Sequence, residues 1–240
     1  MATGVYPVVP HVLAHGARGG RVIAREWAWS IALSAARPCG FLPLPGARVH
    51  GPRPIIMVHG YAMNRANFIP LAKRLAKAGL GPIVGFEYWT LGKTASAARK
   101  LGEFVDRVRS ETGATNVDVI GHSMGGVVGR YYVTFGGGDG VVKNLVTIGS
   151  PHSGTEVAPV GLGRPTKELF LGSSLMQRLA AAKKPSQTRL TVIWSRADAL
   201  VSGPHAAHLE GADELVFDDL GHLSMLTSRV VADALIERLR

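Results

Sequence analysis

Asn116-Val117-Asp118-Val119-Ile120-Gly121-His122-Ser123-Met124-Gly125 is the stretch whose reading decides the fold. Its first half is short, apolar and β-branched, as a buried strand requires. Its second half fits Gly-x-Ser-x-Gly, and Val127 to Val133 continues beyond it as a buried helix. A serine between small residues at a strand-to-helix turn is forced into a sharp, strained bend. That bend lifts the hydroxyl clear of the sheet. The flanking glycines matter because a Cβ on either side would crowd the neighbouring strand and helix.

Outward from this turn the punctuation is regular. Ile55-Ile56-Met57-Val58 is a continuous apolar run, as expected of a strand buried on both faces. Helix is expected over Phe68–Ala78, with Phe68, Leu71, Leu75 and Ala78 on one face and Gly79 as its stop. Pro82 to Phe86 is the second strand. Thr94–Thr112 is a longer helix ending at Gly113, with Leu101, Phe104, Val105 and Val108 inward. Val117–Ile120 is the third strand and Met124–Phe135 the helix after the serine. Strands follow over Val142–Ile148, Leu190–Trp194 and Glu214–Phe217, with helices over Glu168–Ala182 and Met225–Leu239. Strands alternating with helices imply right-handed βαβ units. The expected class is α/β, with a mostly parallel sheet of about six strands and helices on both faces.

In such a sheet function gathers at the carboxyl ends of the strands. Four of these ends carry reactive types: His59-Gly60-Tyr61, His122-Ser123-Met124, Ser195-Arg196-Ala197-Asp198 and Asp218-Asp219-Leu220-Gly221-His222. A serine hydroxyl is a weak nucleophile and needs an adjacent base. An imidazole can take its proton and later pass it to the leaving group. A carboxylate on the far ring nitrogen fixes the tautomer. Ser123, Asp198 and His222, in that chain order, fill these roles. The backbone N–H groups of Met124 and Tyr61 are the candidate oxyanion donors. His59 is read as support for the oxyanion loop and His122 as the variable neighbour of the serine. His152 is the rival base, Ser153 a decoy nucleophile, and Asp218 and Asp219 cap or solvate the turn before His222.

At these residues the chain resembles the α/β-hydrolase superfamily, and within it small bacterial serine lipases and esterases. The resemblance rests on Val58-His59-Gly60-Tyr61, on Val119 to Gly126 and on Thr147-Ile148-Gly149-Ser150-Pro151-His152-Ser153-Gly154-Thr155. Asp198-Ala199-Leu200-Val201 and Gly221-His222 complete it. His-Ser-Met-Gly-Gly together with Gly-Ser-Pro-His-x-Gly-Thr looks like triacylglycerol lipases. It implies hydrolysis of fatty-acid esters through an acyl-enzyme on Ser123. A phospholipase or thioesterase would use the same triad; an acyltransferase or a non-catalytic lipid-binding module are further readings. Larger lipases of this kind often hold a structural calcium, but no calcium-loop cluster of acids stands out, so neither metal nor cofactor is expected. The lid-sized insert is about 155–189, and Leu169, Phe170, Leu175 and Met176 in it are candidates to line an acyl channel.

Composition bounds the rest. The 240 residues are 46% hydrophobic and 18% charged, a globular balance. Cys39 is the only cysteine, so no intramolecular disulfide forms. The net charge of +10 is regional: 1–53 and 160–190 each carry six basic residues and one acid, and the remainder balances at 15 against 15. A basic patch suits an anionic lipid surface. Without a Lys/Arg run, an aromatic platform or a recognition motif, nucleic acid is not an expected partner. Residues 1–53, rich in Gly, Pro and Arg, are read as an arm packed on a catalytic domain of 54–240. The arm holds one helix, Val22–Ala36, in which Trp27, Ile31 and Ser34/Ala35 share a face; a second reading lays this helix on a membrane. There is no run of about 18 apolar residues, and Arg18, Arg21, Arg25 and Glu26 interrupt any signal-peptide core. A cytoplasmic or peripheral membrane location is expected, with secretion left open.

Overall fold

The computed structural model describes residues 17–156, 162–201 and 204–240. Through the first half the chain runs α1 (Ala17–Ala35), β1 (Ile55–Val58), α2 (Ile69–Lys77), β2 (Ile83–Phe86), α3 (Thr94–Thr112), β3 (Val117–His122) and α4 (Met124–Phe135). It continues as β4 (Val142–Ile148), α5 (Pro165–Glu168), α6 (Ser174–Ala180), β5 (Arg189–Ser195), α7 (Pro204–Ala207), β6 (Asp213–Phe217), α8 (Ser224–Thr227) and α9 (Arg229–Leu239). The sheet has the order β2-β1-β3-β4-β5-β6, and every pairing is parallel.

The apolar strand runs are explained by two cores, one on each face of the sheet. Ile56, Val58, Val117 and Val119 pack with Leu101, Val105 and Val108 of α3 and Val128 of α4. Their neighbours Ile55, Met57 and Ile120 pack on the other face with Leu71 and Leu75 of α2 and Val231 and Leu235 of α9. Alternate residues thus face opposite cores and both must be apolar. Each fully buried aliphatic side chain contributes about 1.5–3 kcal/mol of transfer free energy.

The strand order also fixes where a site can form. From β1 the chain steps outward to β2, then returns past β1 to β3. The reversal leaves a crevice at the carboxyl ends of β1 and β3, the topological switch point. His59-Gly60-Tyr61 leaves β1 there, and Ser123 leaves β3.

Three sequence expectations are corrected. The insert does not hold one helix over Glu168–Ala182. Gly172 has φ +72 and splits it, and the Ser173 hydroxyl starts α6 by accepting from Met176 N at 3.2 Å. The closing helix over Met225–Leu239 is likewise two helices, because Ser228 is extended (φ −69, ψ 134). Thr227 Oγ1 donates to Ser224 O there, a local bond that competes with helix propagation. The helix of the arm begins at Ala17 and not at Val22. The face that Trp27 and Ile31 share, for which no direction was expected, points outward, both residues being 68% exposed. Val22 and Leu33 are buried instead. Either stripe satisfies a 3.6-residue period, and the polar contacts of Glu26 decide which one faces the body.

Candidate active site

Ser123 sits between β3 and α4 with φ 55 and ψ −126, a left-handed conformation for a residue that is not glycine. Such backbone costs on the order of 1–3 kcal/mol and persists only where the surroundings impose it. Here they do. A Cβ on Gly125 would run into the carbonyl oxygens of Val58 and His59 at the end of β1, and one on Gly121 would lie 2.5 Å from Gly126 Cα. Ser123 N donates to Ile148 O at 2.9 Å, holding the turn to β4.

The loop after β1 lies against this turn. A Cβ on Gly60 would come within 2.9 Å of Ser123 Cβ. His59 is buried, stacked on Tyr88 with ring centroids 4.8 Å apart, and Tyr88 OH donates to His59 O at 2.8 Å. Glu87 Oε2 lies 3.2 Å from His59 Nε2. Tyr61 follows Gly60, and Met124 is the first residue of α4, where an N–H has no intrahelical partner.

Asp198 and His222 meet although they leave different strands. His222 Nδ1 donates to Asp198 Oδ2 at 2.8 Å, and Asp198 Oδ1 accepts from Leu200 N at 2.8 Å and Val201 N at 3.0 Å. Asp198 is 2% exposed and His222 5%. A carboxylate only accepts, so the ring proton belongs on Nδ1 and the lone pair on Nε2. Gly149, at φ +55, admits the pair: a Cβ there would sit 3.1 Å from Asp198 Oδ2 and 3.2 Å from His222 Nδ1. Burial pulls the His222 pKa down, but the charge and hydrogen bond of Asp198, with the charge of Glu26, outweigh it and hold the group above the usual imidazole value. His122, next to the serine, has its ring 4.6 Å from that of His222, and its Nε2 donates to His222 O at 3.1 Å. Burial, then the charge of His222, keep His122 well below the usual value and therefore neutral.

The other reactive positions lie elsewhere. The buried His152 bonds Thr147 Oγ1 through Nε2 at 2.8 Å, with no carboxylate partner among the described residues. Burial, followed by the charges of Arg130 and His208, pulls it down to about 3. Ser153 donates its backbone N–H to Ala206 O, and Asp218 pairs with Arg196 at the surface. In the insert, Leu169, Met176 and the half-buried Leu175 join Met124, Val127 and Tyr61 in one apolar cluster beside the serine. Phe170 does not; its backbone bridges to Thr155 and it is 43% exposed. The Tyr61 hydroxyl ties the insert to this loop, donating to Leu162 O at 3.0 Å and accepting from Leu162 N at 2.6 Å.

Residues 52–234 match the family model for Lipase (class 2). The chain belongs to the class 2 lipase family. The class 2 lipase match starts just before β1 and leaves α1 outside it. A triacylglycerol lipase of Burkholderia plantarii is 31% identical over 156 residues, covering 58% of this chain and 42% of that protein. Another, of Pseudarthrobacter phenanthrenivorans, is 33% identical over 115 residues, covering 44% and 35%. The chain thus spans less than half the length of either relative. The fold of this class 2 lipase family member is the α/β-hydrolase fold. The mature lipase BlEst2 of Bacillus licheniformis superposes with a TM-score of 0.72 at 16% identity, over 79% of this chain and 94% of that one.

Sequence reading passed over Glu26. Its Oε2 accepts from Leu223 N and its Oε1 from Ser224 N, each at 2.8 Å. The one signal available was its standing as the only acid among residues 1–53, which identified no partners 197 and 198 positions away. Glu168 was also missed; its Oε2 accepts from Thr94 N at 2.7 Å and joins the insert to the start of α3.

Proposed function

We propose that this chain is a serine carboxylester hydrolase acting on acylglycerols or simple fatty-acid esters. The observation that carries it is the buried Asp198–His222 pair in contact with His122, the residue before a serine held in strained backbone at the switch point. Ser123 Oγ attacks the ester carbonyl as its proton passes to His222 Nε2. The oxyanion is met by the N–H groups of Tyr61 and Met124. The resulting imidazolium is stabilised by Asp198, and it protonates the leaving alcohol as the carbon–oxygen bond breaks. Water then attacks the acyl-enzyme by the same path, releasing the acid and restoring Ser123. The Leu169, Leu175 and Met176 cluster beside Met124 suits an acyl chain, and the insert serves as the covering segment.

Ser123→Ala tests this reading. Hydrolysis of p-nitrophenyl butyrate should fall by about 10⁴-fold or more, and a fluorophosphonate probe should label the wild type at Ser123 and spare the variant. Retained hydrolysis in purified Ser123→Ala ends the assignment.

A lipid surface is the second element of the reading. Trp27, Ile31, Phe41 and Leu42 are exposed apolar side chains in a region that carries an excess of arginine. Amphipathic basic surfaces of this kind bind anionic interfaces. Flotation with vesicles containing an anionic phospholipid, lost as salt is raised, is the expected result. Hydrolysis of those phospholipids themselves would move the substrate class to phospholipase.

A further inference from the structure

We infer that Glu26, from the helix outside the class 2 lipase match, is a positioning residue for His222. The inference rests on the reading of His222 as the base. The loop bearing His222 runs from the end of β6 to the start of α8, and loops of this kind owe their geometry to what fastens them. Three of the contacts that fasten this one lie at the histidine or directly after it. Asp198 holds the ring and His122 holds the His222 carbonyl. The third is Glu26, whose two carboxylate oxygens take separate backbone N–H groups, Leu223 N and Ser224 N, immediately after the histidine. Hydrogen bonds from N–H to carboxylate are among the stronger ones available, and a bidentate pair fixes direction as well as distance.

The fit is steric too. A Cβ on Gly221 would collide with Glu26 Cδ and Cγ, so the residue before the histidine leaves the space that the carboxylate occupies. Arg25 donates to Asp219 O, so two consecutive residues of α1 grip one loop at both sides of His222. Between α1 and the Ala197–Leu200 segment lies a cleft of 330 Å³ whose wall includes His222, Glu26 and Trp27. Glu26 also acts through space. Among the described residues, the charged and titratable groups around His222 are Asp198 from the loop after β5, His122 from the end of β3 and Glu26 from α1; Gly149 lies against the ring without charge. Two of these three carry negative charge, and both favour the imidazolium that forms as Ser123 gives up its proton.

The test compares wild type, Glu26→Ala and the nearly isosteric Glu26→Gln in the full chain. Hydrogen exchange over residues 221–226 is measured together with the pH dependence of kcat/KM on p-nitrophenyl butyrate. Glu26→Ala is expected to lose protection at both Leu223 and Ser224, and Glu26→Gln, which keeps one acceptor oxygen, at one of the two. The rate should fall roughly 10- to 100-fold, the scale of a misplaced catalytic group. Loss of the Glu26 charge lowers the His222 pKa, so the acid limb should move to lower pH, which a purely structural support would not cause. Glu26→Gln keeps the comparison interpretable if Glu26→Ala folds poorly, as judged by circular dichroism. Unchanged protection overturns the contact; lost protection with an unmoved rate and acid limb overturns the positioning role. Failure of the underlying reading shows separately, as hydrolysis retained in Ser123→Ala.

Discussion

The two halves of the site are held by different physics. At the ends of β1 and β3, Ser123 is fixed by close packing: Gly121 and Gly125 have no room for a Cβ, and Gly60 has little. At the ends of β5 and β6 the fixing is by hydrogen bonds: Asp198 accepts from Leu200 N and Val201 N, His222 O accepts from His122, and Glu26 accepts from Leu223 N and Ser224 N beside the histidine. Steric fixing is tied to the integrity of the fold, because the atoms that would meet a Cβ on Gly121 or Gly125 are backbone atoms of α4 and of the end of β1. Hydrogen-bond fixing tunes orientation and protonation and leaves the fold to its cores. Changes at the glycines around the serine should therefore cost stability first, and, on the proposed reading, changes at Asp198 and His222 should cost chemistry first.

Asp198→Asn should separate these consequences most widely. The amide presents an N–H to the ring and selects the wrong tautomer, so kcat should fall by about 10⁴-fold. The His222 pKa is raised by Asp198, so removing that charge lowers it, and the acid limb of the residual activity should shift to lower pH. Melting temperature should change little; a large fall would show that the pair supports the fold after all. Gly125→Ala should do the opposite. Its methyl meets the Val58 and His59 carbonyls, and overpacking against fixed backbone costs about 3 kcal/mol. Thermal unfolding should report that loss along with reduced activity. Normal stability in this variant would dissolve the contrast between the halves.

The smallest effect is expected far from both. Asp139 accepts from the backbone N–H groups of Ser186, Gln187 and Thr188, joining the turn before β4 to the segment entering β5. Burial is the largest single influence and raises its pKa, but these hydrogen bonds together prevail and bring it down to about 2. A depressed carboxylate contributes stability above its unfolded pKa and loses it as pH falls through the folded value. Asp139→Ala should therefore lower stability by about 1 kcal/mol at neutral pH, with the difference from wild type closing below roughly pH 4. Activity should be unchanged, measured in the same p-nitrophenyl assay.

What was legible follows the same division. The serine turn, α3 over Thr94–Thr112 with its Gly113 stop, and β4 over Val142–Ile148 were all readable because each is specified by neighbours in the chain. Apolar runs announced strands buried on both faces, and glycines announced close approach. The split of the insert at Gly172 was not legible, since a glycine inside an amphipathic pattern is as compatible with a kinked helix as with a break. Nor was the outward face of α1: two stripes fitted one period, and a contact with residues 223 and 224 chose between them.

The sequence by itself thus determined the strand order of reactive types, the strained turn at Ser123 and the candidates Asp198 and His222, because short-range sterics and periodicity are written in adjacent residues. Only the tertiary structure decided that His222 faces Asp198 while His152 turns to Thr147, and that a glutamate of the arm holds the histidine loop. A hydrogen bond between residues nearly 200 positions apart leaves no local pattern. It exists only once the sheet has brought their strands, loops and helix to the same edge.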